Sequence, residues 1–450
     1  MAKRITFATR FGTIVAVGGS VVGLGNIWRF PYLAGENGGS AFMLTYITIS
    51  LLISIPIMLS EFIIGRSSRR NALRSFKKLS RGNRLWMSAG YMGILSAFLI
   101  LAFYSVIGGW ALKFLLSSIA GTFIGATPES IATGFDAFVA GGWQPLLFAF
   151  LFSAACAAVV AAGVVKGIER YNKILMPLMV LILVGLNVNA FFMSGWREGA
   201  EFLLRPDFGK ITWRVGLEAL GQSFFSMSIG MGAMITYGSY MKRSENMFRV
   251  AGTVAITDLS IAILSGMAIF PAVFTYGISP TSGPELVFLA LPNIFAQLPG
   301  GYLVAVLFFM MLVAAAITSS VSLLEVIAAY MSEELRISRR KATILGAAGV
   351  FALSILCALS QIPGSGLRLL GSNIFDLFNS STSNVLMPLG AMLIVVFAGW
   401  ALGRDKFNRQ LTSEGRYGTR LLRPAVRFMI RFVIPPFIAL LFLAQIGFIK

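Results

Sequence analysis

The 450-residue sequence has no histidine, two cysteines and few charges, Lys, Arg, Asp and Glu together making up 12% of the chain. Without histidine the most frequent general base and the most frequent metal ligand are both missing. HExxH and GxSxG patterns are also absent, so hydrolytic chemistry has no machinery to draw on. Cys156 and Cys357 lie far apart in apolar runs. They read as buried small hydrophobes, not as a disulfide or a zinc site. A soluble domain carries about 25% charged residues, so the deficit excludes an ordinary soluble fold.

What is present is apolar: 57% of the residues are hydrophobic and the mean hydropathy is +0.81. A helix crosses a bilayer with roughly 20 apolar residues. Such runs recur near 11–37, 41–65, 87–119, 145–164, 168–195, 216–241, 248–277, 301–332, 341–362, 374–403 and 424–448. They leave no room for a soluble domain, and the chain reads as one all-α integral membrane domain, residues 1–450, with eleven spans. The first run begins with charges as a signal peptide does. However, Gly18-Gly19-Ser20 and Gly23-Leu24-Gly25-Asn26 interrupt it and no cleavage site follows, so it is kept as span 1.

A net charge of +19 could signal a nucleic-acid partner. Placement decides otherwise. With the N-terminus inside, the inner ends and loops hold Lys3, Arg4 and Arg10, the run from Arg66 to Arg84, Lys166, Arg170 and Lys173, Lys242, Arg243 and Arg249, Arg336 to Lys341, and the run from Arg404 to Arg431. Outside fall Arg197, Arg205, Lys210, Arg214, Arg368 and Lys450. The positive-inside rule therefore accounts for the charge, predicts a cytoplasmic N-terminus and an external C-terminus, and leaves no role for nucleic acid.

Two spans carry residues that break helices. Span 1 contains Gly18-Gly19-Ser20-Val21-Val22-Gly23-Leu24-Gly25-Asn26 and span 6 contains Ser226-Met227-Ser228-Ile229-Gly230-Met231-Gly232. Each glycine weakens a helix by about 1 kcal/mol relative to alanine, and the neighbouring Ser and Asn can satisfy the freed backbone. The spans lie five apart, so the segments they open run in opposite directions. The pattern predicts an inverted repeat, about 11–195 against about 216–403, with an extra span at about 424–448, and a binding site near the midplane. Taken singly, a glycine pair is better read as close helix packing; two clusters in register with the half-repeats point to the broken spans. Asp258, deep in span 7, is a functional candidate by its cost alone, about 2.5–3.5 kcal/mol at a helix centre, or else a protonated structural acid. Thr318 and Ser319 are adjacent hydroxyls in an apolar run, able to bind an ion or to bond back to their own helix.

The run from Gly23 through Trp28-Arg29-Phe30-Pro31-Tyr32, followed by Glu36-Asn37-Gly38-Gly39-Ser40-Ala41-Phe42, resembles the signature of the neurotransmitter:sodium symporter family. Ser228 to Gly232, Thr318-Ser319-Ser320 and the Gly167-to-Pro177 spacing resemble that family's span 6, 8 and 5 motifs, and the likeness extends from about Arg4 to Trp400. It implies a LeuT-like 5+5 inverted repeat, and the length matches the short eleven-span bacterial members, hence an inner-membrane location. The implied activity is sodium-coupled symport of an L-amino acid, not catalysis. A sodium channel or a binding-only amino-acid receptor is the alternative. A channel would need a filter loop, which nothing here resembles.

The resemblance also implies site residues. One sodium would take carbonyls of Gly19, Val22 and Ala315 with the hydroxyls of Thr318 and Ser319. A second would take the Val21 carbonyl, Asn26, Ser226 and Asp258 with the substrate carboxylate. Sodium is hard and prefers such oxygen ligands. Asp258 supplies a fixed negative charge where many animal relatives have Asn and bind chloride, so no chloride requirement is expected. Amine-selective relatives have Asp at the Gly23 position. Glycine there predicts a substrate that brings its own carboxylate, held by half-helix ends, the Gly25 amide and Tyr104. Its ammonium would meet carbonyls at Ser20, Val21, Phe225 and Ser226. Its side chain would face Ile100, Phe225, Ser228, Met231, Ser319 and Leu323, a lining that favours hydrophobic or aromatic amino acids.

For the gates, the expectation is Arg29 with the Phe225 ring outside, partnered by Asp376, since Asn379 stands where an acid is expected. Inside, Arg4 would pair with Glu333, braced by Tyr240. Gly167 and Pro177 would let span 5 unwind, and Glu61 would bond the freed backbone of span 6. The only partners expected are the substrate and lipid, with a monomeric or weakly dimeric chain.

Overall fold

The computed structural model describes residues 6–280, 287–417 and 422–445. Among them, nine helices are long and apolar enough to cross a membrane, and a bent pair makes a tenth span. In chain order, span 1 is the bent pair, Arg10–Val21 with Gly25–Glu36. Spans 2 to 5 are Ser40–Ser68, Arg84–Ile119, Trp143–Ala161 and Val164–Phe191. Span 6 is again a pair, Trp213–Ser226 and Ala233–Tyr240, each half too short to cross alone. Spans 7 to 11 are Met247–Thr275, Gly301–Glu334, Arg339–Ser360, Ile374–Ala401 and Arg423–Ala444. Each begins within about a turn of its expected position, and each ends so too except span 11, whose expected end at 448 lies outside the described residues.

Several spans start on a side chain that accepts from the first turn, as an N-cap should. Thr9 caps span 1, Asn83 span 3, Thr212 span 6, Asn246 span 7, Ser338 span 9 and Asn373 span 10. Among the described residues the departure from an all-helical fold is a hairpin of two-residue strands, Arg368–Leu369 and Ser372–Asn373, between spans 9 and 10.

The layers are unequal in burial. In span 3, 78% of the apolar window is buried, against 28% in span 5 and 28% in span 11. Span 8 packs along span 3, and the second half of span 6 packs along span 2. Small residues permit that second approach: a Cβ on Gly65 would lie 2.0 Å from the Ile235 carbonyl oxygen. The broken spans 1 and 6 thus sit inside a shell of unbroken helices, away from lipid. Irregular backbone at membrane depth is tolerated only in such a place. Cys156 and Cys357 are both free and buried.

Candidate functional site

Span 1 loses its helix at Val22–Leu24 and bends by 44°. Span 6 loses it over residues 227–232, where Ser228, Gly230 and Gly232 all have positive φ. At Gly230 that backbone (φ 79°) combines with a close approach, since a Cβ would fall 2.5 Å from the Met387 carbonyl oxygen. Glycine alone meets both conditions. Ser228 adopts φ 53° with a side chain, an uncommon conformation, and its hydroxyl donates to the Ser20 carbonyl at 2.9 Å.

The carbonyls released by the first break are taken by side chains from other spans, as buried backbone requires. Ser20 accepts from Ser228 and, at 3.4 Å, from Ser319. The Thr318 hydroxyl lies 3.1 Å from the Val22 carbonyl and 2.9 Å from that of Ala315. The Gly25 carbonyl accepts from Gln222 at 2.7 Å. In span 6 the Gly230 amide donates to Glu61 at 2.7 Å, as expected of that buried acid.

Asp258 is fully buried and faces three donors: Asn26 at 2.6 Å, the Tyr46 hydroxyl at 2.5 Å and the Ser226 hydroxyl. Asn26 also donates to the Asp258 carbonyl at 3.1 Å, and its own amide oxygen accepts from Gly23 at 3.2 Å. A buried carboxylate so enclosed by neutral donors is a strong cation ligand once one or two of them turn away. Gly19 lies against Asn172 of span 5, where a Cβ would come within 2.3 Å of the amide nitrogen.

Between the two breaks is a small buried pocket whose walls close on one another, leaving a free volume of about 10 Å³. Its walls are Ser20, Val21, Gly25, Ile100, Tyr104, Phe225, Ser226, Ser228, Met231, Ser319 and Leu323. Of the expected substrate residues Gly23 is not on the wall. A Cβ there would lie 1.9 Å from the Ser319 hydroxyl, so any side chain at that position would displace part of the lining.

The outer gate differs from expectation. Arg29 is buried, its guanidinium carbon stands 4.9 Å from the Phe225 ring centroid, and it donates to Gln222 at 3.2 Å. Asp376 does not reach it. That side chain is exposed and accepts at 2.8 Å from Asn373, the residue that caps the same helix, so a local cap holds it outside. Asn379 is half-buried and accepts from Ser383 at 3.5 Å.

On the inner side Tyr240 donates at 2.5 Å to Glu325, a fully buried acid that Arg339 grips with both terminal nitrogens. Glu333 lies 3.9 Å from Arg70 and accepts from the Asn71 amide at 3.4 Å. Arg4 lies outside the described residues. Phe7 packs edge-on against Tyr237 and Tyr240, both ring pairs at 5.9 Å. Glu169 of span 5 accepts from the Ala8 amide and pairs with Lys173 at 2.8 Å. Glu245, in the loop before span 7, accepts from Thr13 at 2.9 Å. Burial pushes its carboxyl above the usual carboxylate range, with that hydrogen bond opposing. Span 5 is wound through Pro177, and Gly167 sits in its π-helical first turn against the Val159 carbonyl.

Sequence reasoning therefore missed Tyr46, Gln222, Glu325 with Arg339, and Glu169. The cost of an acid within a span, which singled out Asp258, applies equally to Glu325 and would have found it. Tyr46 is one of many aromatics and carried no such signal.

A buried cavity between two broken, oppositely placed helices, with a carboxylate and freed carbonyls at its edge, is the arrangement of a secondary transporter. The chain belongs to the sodium:neurotransmitter symporter family, whose model matches residues 4–128 and 130–450. It is a sodium-coupled transporter, not an enzyme. It is 36% identical over 448 residues to the uncharacterized sodium-dependent transporter YhdH of Bacillus subtilis (strain 168), covering 100% of this chain and 99% of that one. It is 37% identical to an uncharacterized sodium-dependent transporter of Haemophilus influenzae, covering 99% and 98%. Among solved structures, MhsT in complex with L-phenylalanine superposes with a TM-score of 0.92 at 42% identity, covering 98% of this chain and 100% of MhsT. That likeness confirms the LeuT-like fold.

Proposed function

We propose that this chain takes up a hydrophobic or aromatic L-amino acid together with sodium, by alternating access and without chloride. The observation that carries the reading is the cavity between spans 1, 3, 6 and 8, apolar along Ile100, Phe225, Met231 and Leu323 and polar where it meets Ser20, Gly25 and Ser226. A zwitterion with an apolar side chain matches that division. MhsT, of the same fold, binds L-phenylalanine.

In this scheme the substrate carboxylate meets the Gly25 amide and Tyr104, and its ammonium meets the carbonyls at the two breaks. One sodium enters beside Asp258, with Asn26, Ser226, the Val21 carbonyl and the substrate carboxylate as its remaining ligands. The other sits between the Val22 and Ala315 carbonyls once the Thr318 hydroxyl turns its O–H away and offers its oxygen, joined by Ser319 and the Gly19 carbonyl. Both ions are cargo. The carboxylate of Asp258 supplies the negative charge that removes any need for chloride. Arg29, Gln222 and Phe225 close the outer side, and Tyr240 with Glu325 and Arg339 closes the inner side, where Arg4 and Glu333 add a second lock. The chain works as one transporter domain with the repeats given above, as a monomer or weak dimer, in a bacterial inner membrane with its N-terminus inside and C-terminus outside.

Reconstituted vesicles test this directly. Labelled Trp and Leu should accumulate under an inward sodium gradient and not under potassium, and hydrophobic amino acids should compete where Gly and Glu do not. Binding without accumulation would make the chain a receptor, and sodium current without amino acid would make it a channel.

A further inference from the structure

We propose that a groove between the arginine-rich ends of spans 10 and 11 binds the headgroup of an anionic phospholipid. The groove is about 580 Å³ and is formed by the start of the helix Arg404–Leu411 and the first turns of span 11. Arg404, Arg423, Arg427 and Arg431 all line it, with the rings of Phe428 and Phe432. Among the described residues none of these arginines is ion-paired with a carboxylate. Arg404 and Arg431 stand close enough to repel Arg427, and Asp405, an exposed acid, is the opposing charge.

Four like charges converging on one space raise the energy of the empty groove and favour an anion within it. The arrangement is also built on one side. Arg431 donates to the Gly399 carbonyl at 2.6 Å and stands 4.9 Å from the Trp400 ring centroid, so its guanidinium is held in place. An arginine fixed in this way presents its remaining donors to a phosphate at little cost in conformational entropy.

The surroundings select a lipid. Phe428, Phe432 and Trp400 are 58%, 53% and 56% exposed at the end of spans whose outer faces meet the bilayer. Aromatic side chains at that level lie among headgroups and upper acyl chains. A phosphodiester held by Arg423 and Arg427 would leave its acyl chains running along Phe428 and Phe432. Basic pockets between spans at a membrane face take anionic headgroups in this way. A diffuse excess of positive charge, which the inner loops possess generally, would show no preference for these four residues.

The test uses the full chain, purified from mixed vesicles of phosphatidylglycerol and phosphatidylcholine and examined by native mass spectrometry for retained lipid. Phosphatidylglycerol adducts should dominate. The pair Arg423→Gln with Arg427→Gln should lower the phosphatidylglycerol-bound fraction by about tenfold. The pair Arg340→Gln with Lys341→Gln, exposed basic residues at the start of span 9, should leave it unchanged. Equal retention of both lipids, equal loss in both variant pairs, or displacement of the adduct by millimolar glycerol 3-phosphate would each overturn the proposal. The last outcome would assign the groove to a soluble phosphate ester. Among the described residues Arg423 and Arg427 form no ion pair, and a circular-dichroism melt of the variant guards against unfolding as the cause of loss.

Discussion

On one side of the break in span 1 stands a buried carboxylate, Asp258, already enclosed by Asn26, Ser226 and Tyr46. On the other stand only neutral oxygens, the Val22 and Ala315 carbonyls bridged by the Thr318 hydroxyl. Both regions can hold a hard cation, but they do so against different costs. A cation beside Asp258 neutralises a charge that burial penalises, and it must displace donors that satisfy the carboxylate in its absence. A cation beside Thr318 displaces one neutral hydrogen bond and gains no opposite charge. The charged region should therefore dominate the coupling energy, and the neutral one should tune it.

The largest expected effect follows from removing that charge. Asp258→Asn should cut sodium-driven uptake by about a hundredfold or more, the scale of a broken buried charge interaction. Equal losses from Asp258→Asn and Thr318→Val would erase the distinction between the two regions. Thr318→Val removes one neutral ligand and should raise the sodium concentration for half-maximal uptake by about tenfold, as loss of one strong hydrogen-bond acceptor does. Sodium titration of uptake in vesicles measures both. Tyr46→Phe tests whether the donors around Asp258 hold the carboxylate in place. It should change sodium affinity by about fivefold or less, with maximal uptake retained. Replacing chloride by gluconate at constant sodium should leave uptake within about twofold, because the charge of Asp258 is covalent and cannot be washed out. Chloride dependence that appears only in Asp258→Asn would sharpen the contrast further.

The gates show a similar division between what residue type announces and what position decides. Arg29 was expected to find an acid in span 10. It finds the amide of Gln222 in span 6, on the element that also carries its Phe225 lid. Asp376 has the right charge and the right span but belongs to the first turn of its helix, where Asn373 caps it. An acid in a first turn is stabilised by free amides and the helix dipole, and nothing in the linear sequence ranks that local use against a partner in span 1. Tyr240, expected to brace Arg4 and Glu333, bonds Glu325, which lies about two helical turns along span 8 from Glu333.

Composition and pattern alone determined that this chain lives in a bilayer, how many times it should cross, and which two crossings should fail as helices. Those features are local, because hydrophobic length and clustered glycine act on the backbone wherever the segment is placed. The positions of Asp258 and of Thr318 with Ser319 were legible for the same reason: a polar group within an apolar run is conspicuous whatever surrounds it. Tertiary structure alone decided which donors enclose Asp258, that Gln222 rather than an acid serves Arg29, that Arg339 pairs with Glu325 beside Tyr240, and that four arginines from two separate segments share one groove. Each of these joins residues on different helices, and hydrogen bonds and charges act over a few ångströms of space. Packing must therefore bring such groups together before their chemistry exists.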